Sequence, residues 1–323
     1  MPVLSKNEKV FKNYLNLPPE LRMMVVDEMV PDNRCRFTRC SKLSRKEAIY
    51  SKNYIYGLRI VLFDDSIDIF FAHNKVKCFH EDYSMRFSDK NVRCCDSMSE
   101  ELWKEDLENC TDWIQQAVEY CKTLLRLHQR TLRHLTIYNF EVELDDYNFG
   151  VENLKSFNNL EGLDVYRKVD IAHFLSKTMR PLKSISVCYH RENNTSEVIE
   201  KVCQITNLVY MNDLKLNNEQ FLQLVASDVS ISIGYLTEID VCNFIQSWRN
   251  GKIGKKVRKY SWELKGSSFD VIALFRLLGL SYDDTEWIVN ANITHCENTE
   301  KRAKLSYNHN VDRELVFKVW EEC

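Results

Sequence analysis

The chain has 323 residues, 44% of them hydrophobic and 28% charged, with a formal net charge of -3. That length holds a small motif plus one larger domain, or two domains, and the composition excludes a disordered or fibrous chain. The near-neutral charge gives no global pull toward nucleic acid or membranes, and no run approaches the ~18 apolar residues that cross a bilayer.

The first ten residues alternate charge and lack the apolar core of a signal peptide, so a cytoplasmic or nuclear protein is expected. In that setting the 12 cysteines read as small buried hydrophobes rather than a disulfide framework. Glycosylation-type sites at Asn109, Asn193, Asn194 and Asn292 should stay bare. Only 8 glycines and 5 prolines are present, which leaves little material for phosphate loops or tight-turned barrels.

The most informative stretch runs from Asn13 to Ala48: NYLNLPPELRMMVVDEMVPDNRCRFTRCSKLSRKEA. Pro18 and Pro19 suit the first turn of a helix, where a missing N–H costs nothing, and Glu20 favours its positive end. The helix is predicted to reach about Met29, with Leu21, Met24, Val25 and Met29 on one stripe, and Pro31 ends it. A second short helix from about Asp32 carries Cys35, Phe37 and Cys40, and Ser41 to Arg45 lead into a third.

Leu17-Pro-Pro-Glu-Leu, the apolar stripe, the Pro/Asp break and the Arg-rich segment ending in Cys40-Ser-Lys together resemble the F-box, above all the divergent F-boxes of nematodes. The resemblance implies a small helical motif that docks on a Skp-type adaptor through Leu17, Pro18, Leu21, Val25, Met29, Phe37 and Leu43. These are apolar groups, and a few buried anchors in a water-excluded patch supply most of such a binding energy. Many F-boxes end in a basic residue followed by tryptophan; here Lys42 is followed by Leu43 and Ser44. An ordinary amphipathic helical hairpin is the alternative, since LPxEL alone is a loose pattern.

Farther along, Thr111 to His128 reads as a helix with Ile114, Val118, Cys121 and Leu125 inward. From Leu132 a phrase recurs as Leu132-x-x-Leu135-x-Ile137, Leu160-x-x-Leu163-x-Val165 and Leu182-x-x-Ile185-x-Val187. Weaker echoes follow at Leu208-x-x-Met211, at Val229-x-Ile231-x-Ile233 and at Val257-x-x-Tyr260-x-Trp262-x-Leu264. The mean period of about 25 falls in the leucine-rich-repeat range. Capping pairs sit in the gaps: Asn194 with Glu197, Asn217 with Gln220, Thr237 with Asp240, and Ser267 with Asp270. Strand-then-capped-helix units cannot bury their faces alone and must stack. The expected fold is therefore α/β (or α+β), a helical F-box followed by a degenerate, leucine-rich-repeat-like curved solenoid. The expected divisions are 10–55 for the F-box, 56–130 for a mostly helical connection, and 131–323 for the repeat-like domain. A compact α+β domain whose strands share the phrase is the alternative.

A second resemblance lies at Phe244-Ile-Gln-Ser-Trp248-Arg-Asn-Gly251, followed by Val257 and Tyr260, which is similar to the F-box-associated region of nematode F-box proteins. It covers about twenty residues. Together the two resemblances imply a non-catalytic substrate receptor of a Skp–cullin–F-box ubiquitin ligase, its partners being the adaptor, the cullin ligase and an unknown protein target. On stacked repeats the strand face between the buried positions would meet that target, with Thr136, Tyr138, Asp164, Tyr166, Ser186 and Cys188 as candidates.

Evidence for other chemistry is thin. Cys78, His80, Cys94 and Cys95 lack the paired spacing of a zinc site, so structural thiols are expected. Gly251-Lys-Ile-Gly-Lys-Lys has neither the spacing nor the preceding strand of a phosphate loop. With Arg249, Arg258 and Lys259 it makes a basic run, expected to be a solvated turn. No GxSxG, HExxH, kinase or CxxC phrase occurs, and His190-Arg-Glu reads as an exposed loop. No catalytic residue, metal or cofactor is expected, nor a membrane or nucleic-acid partner. A repeat scaffold without adaptor binding, and a nucleic-acid-associated protein using the basic run, are the remaining readings.

Overall fold

The computed structural model describes residues 14–29, 33, 37, 40–50, 56–63, 65–72, 83–88, 91–96, 101–106, 113–139, 156–166, 171–188, 195–211, 214–253, 256–264, 268–281, 288–295, 301–308 and 313–321. The chain is mixed α/β and divides into two compact units. One comprises residues 1–135 with 146–159, the other 136–145 with 160–323.

In the first unit a 3-10 turn, Tyr14–Asn16, precedes α1, Pro19–Asp27, and α2 follows at Lys42–Tyr50. Pro18 is the N-cap of α1 with extended backbone, and the next proline occupies the first helical turn, as their fixed φ requires. The break expected at Pro31, and Cys35 beyond it, lie outside the described residues; Phe37 is helical. Val26, Tyr14, Phe37, Ala48 and Leu127 form one buried cluster, with Leu17 and Met29 packed against it. Tyr14 and Phe37 meet edge to face, centroids 5.2 Å apart.

Five antiparallel strands follow: β1 Gly57–Leu62, β2 Ser66–Ala72, β3 Tyr83–Ser88, β4 Asn91–Asp96 and β5 Glu101–Asp106. They pair in simple succession. Helix α3, Trp113–His128, packs on β2 and β3, and Phe87 lies 5.4 Å from Tyr120 between centroids. The mostly helical connection expected over 56–130 is therefore corrected: α3 is there, but an antiparallel meander precedes it. Two of its strands, Gly57–Leu62 and Ser66–Ala72, are rich in Ile, Val, Leu and Phe and lie buried almost throughout. β-branched and aromatic residues suit such a surface, while Arg59, Ser66 and Asp68 interrupt the apolar runs, the last two being buried polar residues.

In the second unit Thr136–Asn139 belong to β6, His134–Asn139, and five strands then alternate with helices. The order is β7 Gly162–Tyr166, α4 Ile171–Ser176, β8 Ser184–Cys188, α5 Ser196–Cys203, β9 Leu208–Met211, α6 Asn218–Leu222, β10 Asp228–Ser232, α7 Glu238–Arg249, β11 Lys259–Glu263 and α8 Val271–Leu277. β7 to β11 are parallel and adjacent in chain order, with Leu163, Ile185, Val209, Val229 and Tyr260 in one row. Three further strands, β12 Ile288–Thr294, β13 Lys301–Asn308 and β14 Glu314–Glu321, fold back antiparallel and continue the sheet beyond β11 in the order β14, β13, β12.

Alternate residues of β7 to β10 are buried, which covers one face and leaves the other half-open. The row shows the true frame of the repeated phrase. Its second position is Leu163, Ile185, Val209, Val229 and Tyr260, so its first is Leu160, Leu182, Thr206, Ala226 and Val257. The echo expected at Leu208-x-x-Met211 is out of phase: Leu208 is exposed, and Val209 and Met211 point inward.

Helix starts follow their capping chemistry. Asn217 with Gln220 and Thr237 with Asp240 form complete capping boxes at α6 and α7. At α5 the cap is Thr195, whose hydroxyl accepts from the Val198 N–H, and at α8 it is Asp270. The expected caps Asn194 and Ser267 lie outside the described residues. Helix α7 ends with Gly251 at φ 69°, where the Gly251 N–H donates to the Trp248 carbonyl and the Lys252 N–H to that of Ser247. Phe244 stacks on Tyr260 at 4.8 Å and Trp248 meets Phe317 at 5.1 Å. The Phe–Trp–Gly segment thus supplies the core between α7 and the strands.

Candidate functional site

Helix α1 carries two apolar faces. Val26 is fully buried, and Met29, just past the helix end, is half-buried on the same cluster, which leaves the other face outward. There Leu21 is 45% exposed, Met24 62% and Val25 40%, three residues spaced to share one helical face. Such a contiguous outward stripe is what a docking surface presents; single exposed leucines would need no explanation.

The stripe is held from behind by a buried polar network. Glu47 on α2, 7% exposed, accepts from Arg22 Nε at 2.7 Å and from the Tyr14 hydroxyl at 2.6 Å. The same Arg22 guanidinium donates to the Leu17 carbonyl at 2.9 Å. Three segments are therefore tied through one carboxylate. Burial first, then the hydrogen bond and charge of Glu47, push the Tyr14 phenol well above its ordinary value, so it stays a neutral donor.

The expected adaptor-contact residues fall into two groups. Leu21, Val25, Leu43 and Pro18 are exposed. Leu17 and Met29 are half-buried against the cluster. Phe37 is corrected: at 3% exposure it is a core residue, because its ring packs on Tyr14. Met24 extends the outward stripe beyond the residues that the motif singled out as adaptor contacts. The Arg22–Glu47 pair, which fixes that stripe, had no sequence signal beyond two opposite charges 25 residues apart.

In the second unit the candidate target-facing residues lie on the half-open sheet face. Tyr138 and Tyr166 stack at 4.2 Å with planes 18° apart. Thr136 Oγ1 donates to Asp164 Oδ2 at 3.3 Å. Ser186 is paired in register with Asp164 and with Tyr210, and Cys188 with Tyr166. The six residues form two neighbouring rows, all half-buried, and so offer a rigid aromatic anchor beside polar groups.

Among the described residues, no group of three or more His, Cys, Asp or Glu side chains could hold a metal ion. Cys78, His80 and the His190 loop lie outside the described residues. Cys203 and Cys242 are buried, and burial pushes both thiols up, which disfavours the thiolate that reactivity requires. Among the described residues no helix is long and apolar enough to cross a membrane. Comparison with protein-family models, with curated proteins and with solved structures finds no match.

Proposed function

We propose that this chain is a non-catalytic substrate receptor of a Skp–cullin–F-box ubiquitin ligase, with an N-terminal F-box and a degenerate leucine-rich-repeat-like solenoid. The observation that carries the proposal is the outward apolar stripe Leu21, Met24 and Val25, held on α1 by the buried Arg22–Glu47 pair. An apolar patch kept out of the core costs hydration free energy, which a partner surface recovers on binding. The parallel, sequentially ordered strands β7 to β11 support the repeat reading, and the Tyr138–Tyr166 stack supplies an aromatic anchor for a target. In this role the chain makes and breaks no bond. It raises the local concentration of target lysines near the conjugating enzyme.

The test is co-purification with a Skp-type adaptor, comparing the native chain with Leu21→Asp/Val25→Asp. Both side chains are exposed, so the substitution should leave the fold intact and weaken capture at least about 30-fold, the scale of a lost hot spot. Failure of the native chain to capture the adaptor would move a repeat scaffold without adaptor binding to first place.

A further inference from the structure

The second unit carries a basic groove that the receptor reading does not use. Its volume is about 530 Å³, and Lys256, Arg258, Lys301, Thr206, Ser227 and Trp320 are among its lining residues. Thr206, Ser227 and Arg258 stand just before β9, β10 and β11, so the groove runs along the end of the sheet where those strands begin. The next residues along the sheet add to the charge. Lys259 on β11 lies opposite Lys318 on β14, and Lys318 lies opposite Lys304 on β13. Three lysines therefore stand abreast on adjoining strands. Like charges directly opposite one another in a sheet are destabilising.

Among the described residues no carboxylate pairs with Lys256, Lys259, Lys304 or Lys318. Arg258 approaches Asp228 only at 3.8 Å and is largely exposed. Four residues farther along, the same registers end in Glu263 and Glu314. Asp228 on β10 stands opposite Lys259 and Glu321 on β14 opposite Lys301, so the positive region is a short patch bounded by acids on its flanks and by Glu263 and Glu314 about 13 Å away along the strands.

We infer that this groove and its lysine row bind a short acidic peptide segment of a partner protein. A row of repelling lysines disfavours the fold alone and is relieved when anionic side chains lie across it. The acidic boundary matches a short segment and opposes a long, uniform polyanion such as nucleic acid. Trp320, Val257 and Val319 give the groove an apolar wall for the peptide's remaining side chains. The inference does not depend on the adaptor reading, since every residue named here belongs to the second unit.

The experiment is fluorescence anisotropy of a fluorescein-labelled peptide with eight consecutive glutamates, titrated with the full chain and with Lys256→Glu/Arg258→Glu, Lys318→Glu and Lys252→Glu. Lys252 is exposed and outside the groove lining, so it controls for net charge. The native chain should bind saturably, with at least tenfold weaker binding when salt rises from about 50 to about 300 mM. The groove variant Lys256→Glu/Arg258→Glu and the lysine-row variant Lys318→Glu should each lose at least tenfold, and Lys252→Glu should stay within twofold. Lys318→Glu should also raise the melting temperature by about 1–3 °C, because it exchanges two like-charge cross-strand pairs for opposite ones. Absence of saturable peptide binding, equal loss in Lys252→Glu, tighter binding of a single-stranded oligonucleotide, or a lower melting temperature for Lys318→Glu would each overturn the inference.

Discussion

Glu47 and Tyr260 show how single buried polar groups govern the two units. Glu47 neutralises Arg22 and accepts the short bond from Tyr14, so its removal leaves the Arg22 charge uncompensated and takes away the phenol's charged acceptor. Breaking a buried pair from one side costs about 3–5 kcal/mol. Glu47→Ala should therefore lower stability by about 3 kcal/mol in urea denaturation and weaken adaptor capture with it. Tyr260, almost wholly buried, donates to the Ala226 carbonyl at 3.1 Å. Burial first, then the nearby Asp228 and Cys203, push its phenol above the ordinary value of 10.0. The neutral phenol is the form that the folded state favours. Its contribution is complete below about pH 10 and is lost as pH rises above that, because only the unfolded chain ionises readily there. Tyr14 titrates in the same direction. Stability measured from about pH 9 to 11 should fall steeply in the native chain and less steeply in Tyr14→Phe/Tyr260→Phe.

At the scale of elements, what was legible depended on how local the determining chemistry is. The capping boxes at Asn217 and Thr237 use residues three apart and were readable directly. Thr237→Ala should cost about 1 kcal/mol, measurable by thermal or urea unfolding. Around α5 the run Asn193-Asn-Thr-Ser196 offers several cap-competent side chains, and local pattern alone does not choose Thr195 among them. The repeated phrase was readable where leucine leads it, at Leu132, Leu160 and Leu182. It was hidden where Thr206 and Ala226 take that place. The strands β1 and β2 were missed although Leu58-Arg-Ile60 and Ser66-Ile-Asp-Ile69 alternate polar and apolar side chains, the signal that could have found them. On α1 the apolar spacing located a stripe but could not say which face the core would take. Val26 went inward, while Leu21 and Val25 stayed out, a choice made by Tyr14, Phe37, Ala48 and Leu127 from distant parts of the chain.

For the whole molecule, the two proposed surfaces belong to different compact units, the α1 stripe to one and the basic groove to the other. Sites that share no partners behave additively. Leu21→Asp/Val25→Asp should accordingly leave affinity for the glutamate peptide within twofold of native, and Lys256→Glu/Arg258→Glu should leave adaptor capture unchanged, both read on the full chain. The central claim is that the N-terminal stripe docks an adaptor, and co-purification with a Skp-type adaptor tests it most directly. The account predicts a stable complex with the native chain and its loss in Leu21→Asp/Val25→Asp, with an unchanged far-ultraviolet circular dichroism spectrum. An adaptor that ignores the native chain, or that binds the folded double variant equally well, would contradict it.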